Sequence, residues 1–191
     1  MRALLLLALS FVAMACSSTP VPAPSPREPS SEVSGLFPLS VRPAEPYVGE
    51  SKNAFGAARM NRKNAGVSLV AESGTEVRSI FDNGKVIKGP YAFYAGTYGV
   101  EVQYADGSII RYGGLSDHSQ VKVGDQVNKG SVIGHLTNRK TDNVSSLHLE
   151  LYSGRAKGPL TKIGENEFVR RGDLQDPTPA LRILERATFG Q

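Results

Sequence analysis

The sequence predicts a mainly β domain, an antiparallel sheet or sandwich closed by a short C-terminal helix. Two observations carry that reading. Gly occurs 20 times and Pro 12 times in 191 residues, which marks many tight corners. Short apolar runs also alternate with polar residues and are separated by Asp/Asn-Gly turns, as in Val100, Val102 and Tyr104 set against Glu101 and Gln103.

The elements follow in order. Val67 to Val70 is a short strand candidate. Val77 to Phe81, the turn Asp82-Asn83-Gly84 and Lys85 to Ile87 have the form of a hairpin. Val100 to Tyr104 reads as a strand with one buried face, and Ala105-Asp106-Gly107 turns it into Ser108 to Tyr112. Val121 to Asp125, Val127 to Gly130 and Val132 to Gly134 continue the β pattern, and Leu147 to Tyr152 ends it. The convincing helix is short, near Pro179 to Arg186, after the turn-rich Asp176-Pro177-Thr178-Pro179.

The first residues read as an address. Arg2 precedes an apolar run that continues through Ala15, too short to span a bilayer comfortably. The sole cysteine, Cys16, follows Ala13-Met14-Ala15 directly, an arrangement that resembles a bacterial lipobox, although Leu is usual where Ala13 stands. The alternative is a short membrane anchor. Cleavage before Cys16 and its acylation would attach the chain to membrane, each buried CH₂ contributing about 0.8 kcal/mol. A single cysteine cannot close an internal disulfide. Residues 1–15 are thus the expected signal peptide and 16–46 a lipidated Pro/Ser-rich tether too poor in apolar residues to fold, with the domain over 47–191. In a Gram-negative host Ser17 resembles an outer-membrane sorting signal, which would leave the domain facing the periplasm. Net charge is +4 without a long like-charged run, so no nucleic-acid partner is expected.

Several segments, in order, resemble the lysostaphin-like (LytM) endopeptidases. They are Phe55-Gly56, Asn64 to Leu69, Gly74 to Val77, Asp82 to Val86, Tyr98-Gly99, Tyr112 to Ser116, Val123 to Gly134, Leu147 to Glu150 and Asp176-Pro177. The resemblance implies a duplicated-hybrid-motif-like β fold. In that family zinc is held by the His and Asp of H-x-x-x-D and the second His of H-x-H, with two more histidines serving the chemistry.

Carried over residue by residue, the pattern is mostly missing. Asn64 and Ser68 stand where the first two ligands belong. Gly114 replaces the His after Tyr112, Ser146 replaces the first His of H-x-H, and only His148 remains. One imidazole with neutral amide and hydroxyl oxygens is a poor zinc set. The resemblance therefore implies a vestigial groove with no catalytic residue, metal or cofactor. His118 and His135 lack ligand spacing to His148 and read as surface or satisfied histidines. Arg62 and Lys63 precede Asn64 as solvated charges, or place a cation where zinc is missing.

Tyr91, Phe93, Tyr94, Tyr98 and Tyr112 fall in the stretch that flanks the family's groove; the alternative reading is that several of them are simply core. Tyr98, Tyr112 and Glu150 are the candidate groove-binding residues, with Glu150 also a hydrogen-bond partner for His148. By resemblance to degenerate members, the leading expectation is a lipoprotein that binds and activates a cell-wall amidase. The alternatives are a peptidoglycan-binding anchor, an active zinc endopeptidase with altered ligands, and a spacer whose groove is unused.

Overall fold

A computed structural model describes residues 34–59, 62–163 and 168–190. The signal-peptide and lipidation expectations for 1–15 and Cys16, and the tether up to residue 33, lie outside the described residues. The described residues from Ser34 onward form one compact unit.

Its elements are β1 (Ala58–Arg59), β2 (Arg62–Lys63), β3 (Val67–Val70), β4 (Glu76–Arg78), β5 (Gly84–Ala92), β6 (Tyr98–Gln103) and β7 (Ile109–Leu115). There follow β8 (Gln126–Val127), β9 (Val132–His135), β10 (Ser146–Tyr152), β11 (Thr161–Ile163), β12 (Phe168–Arg170), β13 (Leu174–Gln175) and α1 (Thr178–Phe189). The mainly β, antiparallel class with one short C-terminal helix is what the sequence predicts. No helix among the described residues is long and apolar enough to cross a membrane.

The main sheet has seven strands, in the order β13-β10-β7-β6-β5-β8, with β3 also paired to β10. Residues alternate between its two faces. Leu147 and Leu149 of β10, Tyr112 of β7, Val100 and Val102 of β6 and Val67 and Leu69 of β3 join one apolar core, which Leu181 and Leu184 of α1 complete. Ser146, His148 and Glu150 alternate with those leucines, so they project from the opposite face, and that face forms the site.

Three expectations need correction. The hairpin across Asp82-Asn83-Gly84 does not form. β4 pairs with β9 in a separate two-stranded sheet, whereas β5 pairs with β6 and β8. The turn itself is present, with Asn83 at φ 57, but it is pinned elsewhere. Asn83 N–H donates to Asn128 Oδ1 and Lys129 N–H donates to Asp82 Oδ1, so the turn carries the chain from the small sheet to the large one.

Second, β6 is buried on both faces, Glu101 included, rather than on one. Third, the domain starts well before residue 47. Leu36 N–H donates to the Ile80 carbonyl, Arg78 N–H to that of Pro38, and Leu39 bridges to Val77. Phe37 and Leu39 are buried in the core, and the Phe37 ring meets Phe189 edge-on at 5.6 Å. A few apolar residues inside a Pro/Ser-rich stretch suffice to dock it, which average composition conceals.

The helix begins one residue before the expected start and ends three residues later. Asp176 Oδ1 accepts the Thr178 N–H, and Gly190 at φ 76 closes the C-terminus by donating to the Arg186 carbonyl.

Candidate functional site

The polar face of the main sheet floors a groove of about 410 Å³. Asn64, Ser68, Gly114, Ser146 and His148 all line it, brought together from three separate stretches of sequence. Sheet register explains the convergence: Ser68 of β3 and Gly113 of β7 sit opposite His148 on its two sides.

Three of these side chains are already engaged. Asn64 is buried and its Nδ2 donates to the carbonyls of Ala54 at 2.9 Å and Asn53 at 3.3 Å, clamping the loop before β1. Ser146 Oγ accepts a hydrogen bond from Arg139 at 3.1 Å. His148 Nε2 lies 3.1 Å from Glu150 Oε1, and its ring stacks on Phe93 with centroids 5.8 Å apart. Gly113 leaves room for that stack, because a Cβ there would stand 2.4 Å from the Phe93 ring.

Gly114 is more constrained. Its φ is +92, and a Cβ built on it would stand 2.1 Å from the Ser146 carbonyl oxygen. Backbone, not a movable side chain, occupies the space that any other residue's Cβ needs.

Beneath the groove lies a charge network that sequence reasoning missed. Glu101, Arg111 and Glu150 are in register across β6, β7 and β10. Arg111 donates to Glu150 Oε2 at 2.8 Å, to Glu101 Oε1 at 2.9 Å and to Thr161 Oγ1 at 2.8 Å. Arg170 and Tyr152 complete the shell of Glu150, at 2.9 and 2.6 Å, and Tyr91 donates to Glu101 at 2.9 Å. Burial by itself pushes the Glu150 carboxyl up, but the His148 hydrogen bond and charge and the Arg111 and Arg170 guanidinia outweigh it and hold the pKa at about 2. Burial works against the Arg111 charge too, yet Glu150 and its neighbours raise its pKa above the ordinary arginine value. The detectable signal was the charged residue on each of three consecutive inner strands.

The three candidate groove-binding residues are placed differently from expectation. Tyr112 is fully buried; its hydroxyl lies 2.7 Å from that of Tyr104 and accepts the Ile80 N–H, so it belongs to the core. Glu150 is also fully buried, with its oxygens committed to the network, although the partnership with His148 is present. Tyr98 is half-buried and lines a neighbouring pocket of about 300 Å³ with Ser116, Asp117 and Lys140. The aromatic residues that do line the groove are Tyr91, Phe93 and Tyr94, with Tyr94 53% exposed.

His118 is exposed beside Asp117, and His135 sits on β9 opposite Glu76; neither lines the groove. Arg62 lines it and Lys63 does not.

The donor set does not fit the zinc that the resemblance implies. The Asn64 amide group faces two carbonyls as a donor, Ser68 offers a neutral hydroxyl, and His148 Nε2 is taken by Glu150. Among the described residues no three His, Cys, Asp or Glu side chains converge to hold a metal. A tetrahedral zinc site needs three such ligands.

Comparison with known proteins agrees with the fold. The solution structure of lysostaphin superposes with a TM-score of 0.52 at 26% identity, over 68% of this chain and 49% of that one. The chain thus spans about half the length of that relative. The catalytic domain of the antimicrobial peptidase lysostaphin from Staphylococcus simulans gives 0.51 at 24% identity, over 67% of this chain and 86% of that one. LytU gives 0.52 at 23%, over 75% and 95%; these last two likenesses speak to fold alone. No curated protein matches the chain. Residues 62–159, half of the sequence, match the model of Peptidase family M23, and the chain belongs to that family.

Proposed function

We propose that this protein is a non-catalytic cell-envelope lipoprotein whose M23 domain regulates peptidoglycan remodelling by binding and activating a cell-wall hydrolase of the amidase class. One observation supports this above others. The groove of a peptidase fold is present, yet the positions that carry ligands and catalytic histidines in the family hold Asn64, Ser68, Gly114 and Ser146, with only His148 remaining. A groove without a metal set retains one use, which is binding. Partner binding activates by favouring one conformation of the hydrolase over another. In this reading Cys16 carries the lipid, residues 17–33 with the start of the folded segment hold the domain off the membrane, and the outer membrane facing the periplasm is the location.

The test is hydrolysis of dye-labelled sacculi by each amidase of the host, with and without the full-length protein. Stimulation of one amidase, with no release of dye by this protein alone, is the expected result. Cleavage by this protein alone would overturn the non-catalytic reading. Sacculus binding without stimulation of any amidase would replace activation with an anchoring role, which the exposed Tyr94 ring at the groove favours as a sugar-stacking surface.

A further inference from the structure

The core and the groove lie on opposite faces of the main sheet, and α1 belongs to the core side. Leu181 and Leu184 turn its apolar stripe inward. Arg182, Ile183, Arg186 and Ala187 are exposed, and their spacing puts them on one outer face, directed away from the groove. The helix dipole accounts for Arg186 in the last turn but not for Arg182, nearer the other end. Like charges one turn apart weaken a helix, so the pair does not serve the stability of α1. Neither arginine forms an ion pair among the described residues. Glu185 beside them is taken by Tyr47, which donates at 2.7 Å, and by Arg42 at 3.7 Å. Burial, then the Glu185 hydrogen bond, keep the Tyr47 hydroxyl protonated against the pull of both arginines, so it supplies no counter-charge.

The chain enters the domain at the same place. Gly35 passes between Phe81 and α1, where a Cβ would stand 2.9 Å from the Phe81 ring and 3.0 Å from Leu184 Cδ2. Phe37 N–H donates to Thr188 Oγ1 at 3.2 Å. The exposed Ser34 therefore lies beside α1.

We infer that the outer face of α1, through Arg182 and Arg186, docks on the anionic phospholipid surface to which the chain is anchored and so turns the groove away from the membrane. The inference rests on the acylation of Cys16 in the function proposed above. The residues between Cys16 and Ser34 reach at most about 60 Å when fully extended, so the anchored domain meets its own bilayer at high effective concentration. Each arginine near an anionic bilayer strengthens binding about 5-fold, and two together about 25-fold, enough to orient a domain already tethered. Ile183, 42% exposed, adds apolar area at the level of the headgroups. A convex helix face suits a flat lipid surface, and the groove is then presented outward to the hydrolase.

The test places a fluorophore on Ala187→Cys in the full chain, where acylation of Cys16 leaves the introduced thiol as the reactive one. The protein is reconstituted into vesicles of phosphatidylcholine, alone or with phosphatidylglycerol as the minor component, both carrying headgroup-spin-labelled lipid as quencher. Quenching is strong in the anionic vesicles and weak in the neutral ones, and it disappears at about 1 M salt, where the Debye length is about 3 Å. A dye on Lys63→Cys, on β2 whose Arg62 lines the groove, is quenched in neither. Arg182→Gln combined with Arg186→Gln lowers the docked-to-free ratio about 25-fold, while the melting temperature stays equal or rises. Lys63→Gln leaves quenching at position 187 within about 2-fold, as expected of a charge beyond a Debye length from the surface. Flotation comes first: a full chain that floats with neither vesicle overturns the anchoring, and the docking with it. Flotation with equal quenching at position 187 in both vesicles, or with quenching unchanged in the double variant, overturns the docking alone. Loss of hydrolase stimulation by the double variant in detergent, with its quenching intact, would assign the face to a protein partner instead. Charge-dependent quenching without stimulation of any amidase would sink activation and leave the orientation standing.

Discussion

Gly114 and Glu150 show how single positions set the character of the groove. At Gly114 the positive φ and the Ser146 carbonyl 2.1 Å from a virtual Cβ act together. Gly114→Ala is expected to destabilise the fold by about 1–3 kcal/mol, read as a lower urea midpoint. An unchanged midpoint would show that the strand has slack there. Glu150 has its pKa lowered in the folded state, from an ordinary 4.5 to about 2. Its contribution is therefore complete above the unfolded value and is lost as pH falls from about 4.5 towards 2. The shift corresponds to roughly 3 kcal/mol. Stability measured by denaturant titration should fall across that window, and Glu150→Gln should flatten the fall while lowering stability at neutral pH. An equally steep acid limb in the variant would assign the loss to other carboxylates. The positions Asn64, Ser68, Gly114, Ser146 and His148 were legible through the family resemblance, carried over residue by residue. The backbone conformation at Gly114 was not, since a missing histidine in a sequence says nothing of φ.

At the scale of elements, the segment from Leu36 to Leu39 matters most. It adds hydrogen bonds to Ile80 and Arg78 and buries Phe37 against α1. Phe37→Ala should cost about 3–5 kcal/mol, the usual range for a buried phenylalanine. A chain beginning at residue 45 should accordingly unfold at a much lower temperature than one beginning at residue 34; equal melting would mean that the segment is an ornament. Sequence reading found β3, β6, β7, β10 and α1, whose alternation or capping is local. It misassigned β4 because the partner of Val77 is Gly134, 57 residues away, and hairpin chemistry at Asp82-Asn83-Gly84 names only near neighbours. It also missed the Arg111 network, because a charged residue in an alternating strand ordinarily faces water. Here Thr161 of β11 and Arg170 of β12 lie over that face.

For the whole molecule, the M23 fold and the groove form around a described residue set in which no three His, Cys, Asp or Glu side chains converge. The full chain purified with zinc present should retain well under one equivalent, because one imidazole is not a tetrahedral set. Asn64→His combined with Ser68→Asp places two ligand types beside His148, since Ser68 and His148 are register partners. That double variant should retain about one zinc per chain and still fail to cleave muropeptides, as Gly114 and Ser146 supply no histidine. Metal analysis and product chromatography check both statements. A full equivalent of zinc in the unaltered chain would show that His148 has partners outside this set.

Gly114 also constrains the path by which such a chain can change over generations. The Ser146 carbonyl fills the space that a Cβ would need, so any single substitution at Gly114 meets backbone rather than a movable side chain. A side chain can enter at this position only together with a shift of the Ser146 strand, a change in two coupled steps. The neighbouring groove positions carry no such coupling to backbone, so variation is freer at Ser146 and Ser68 than at this one glycine.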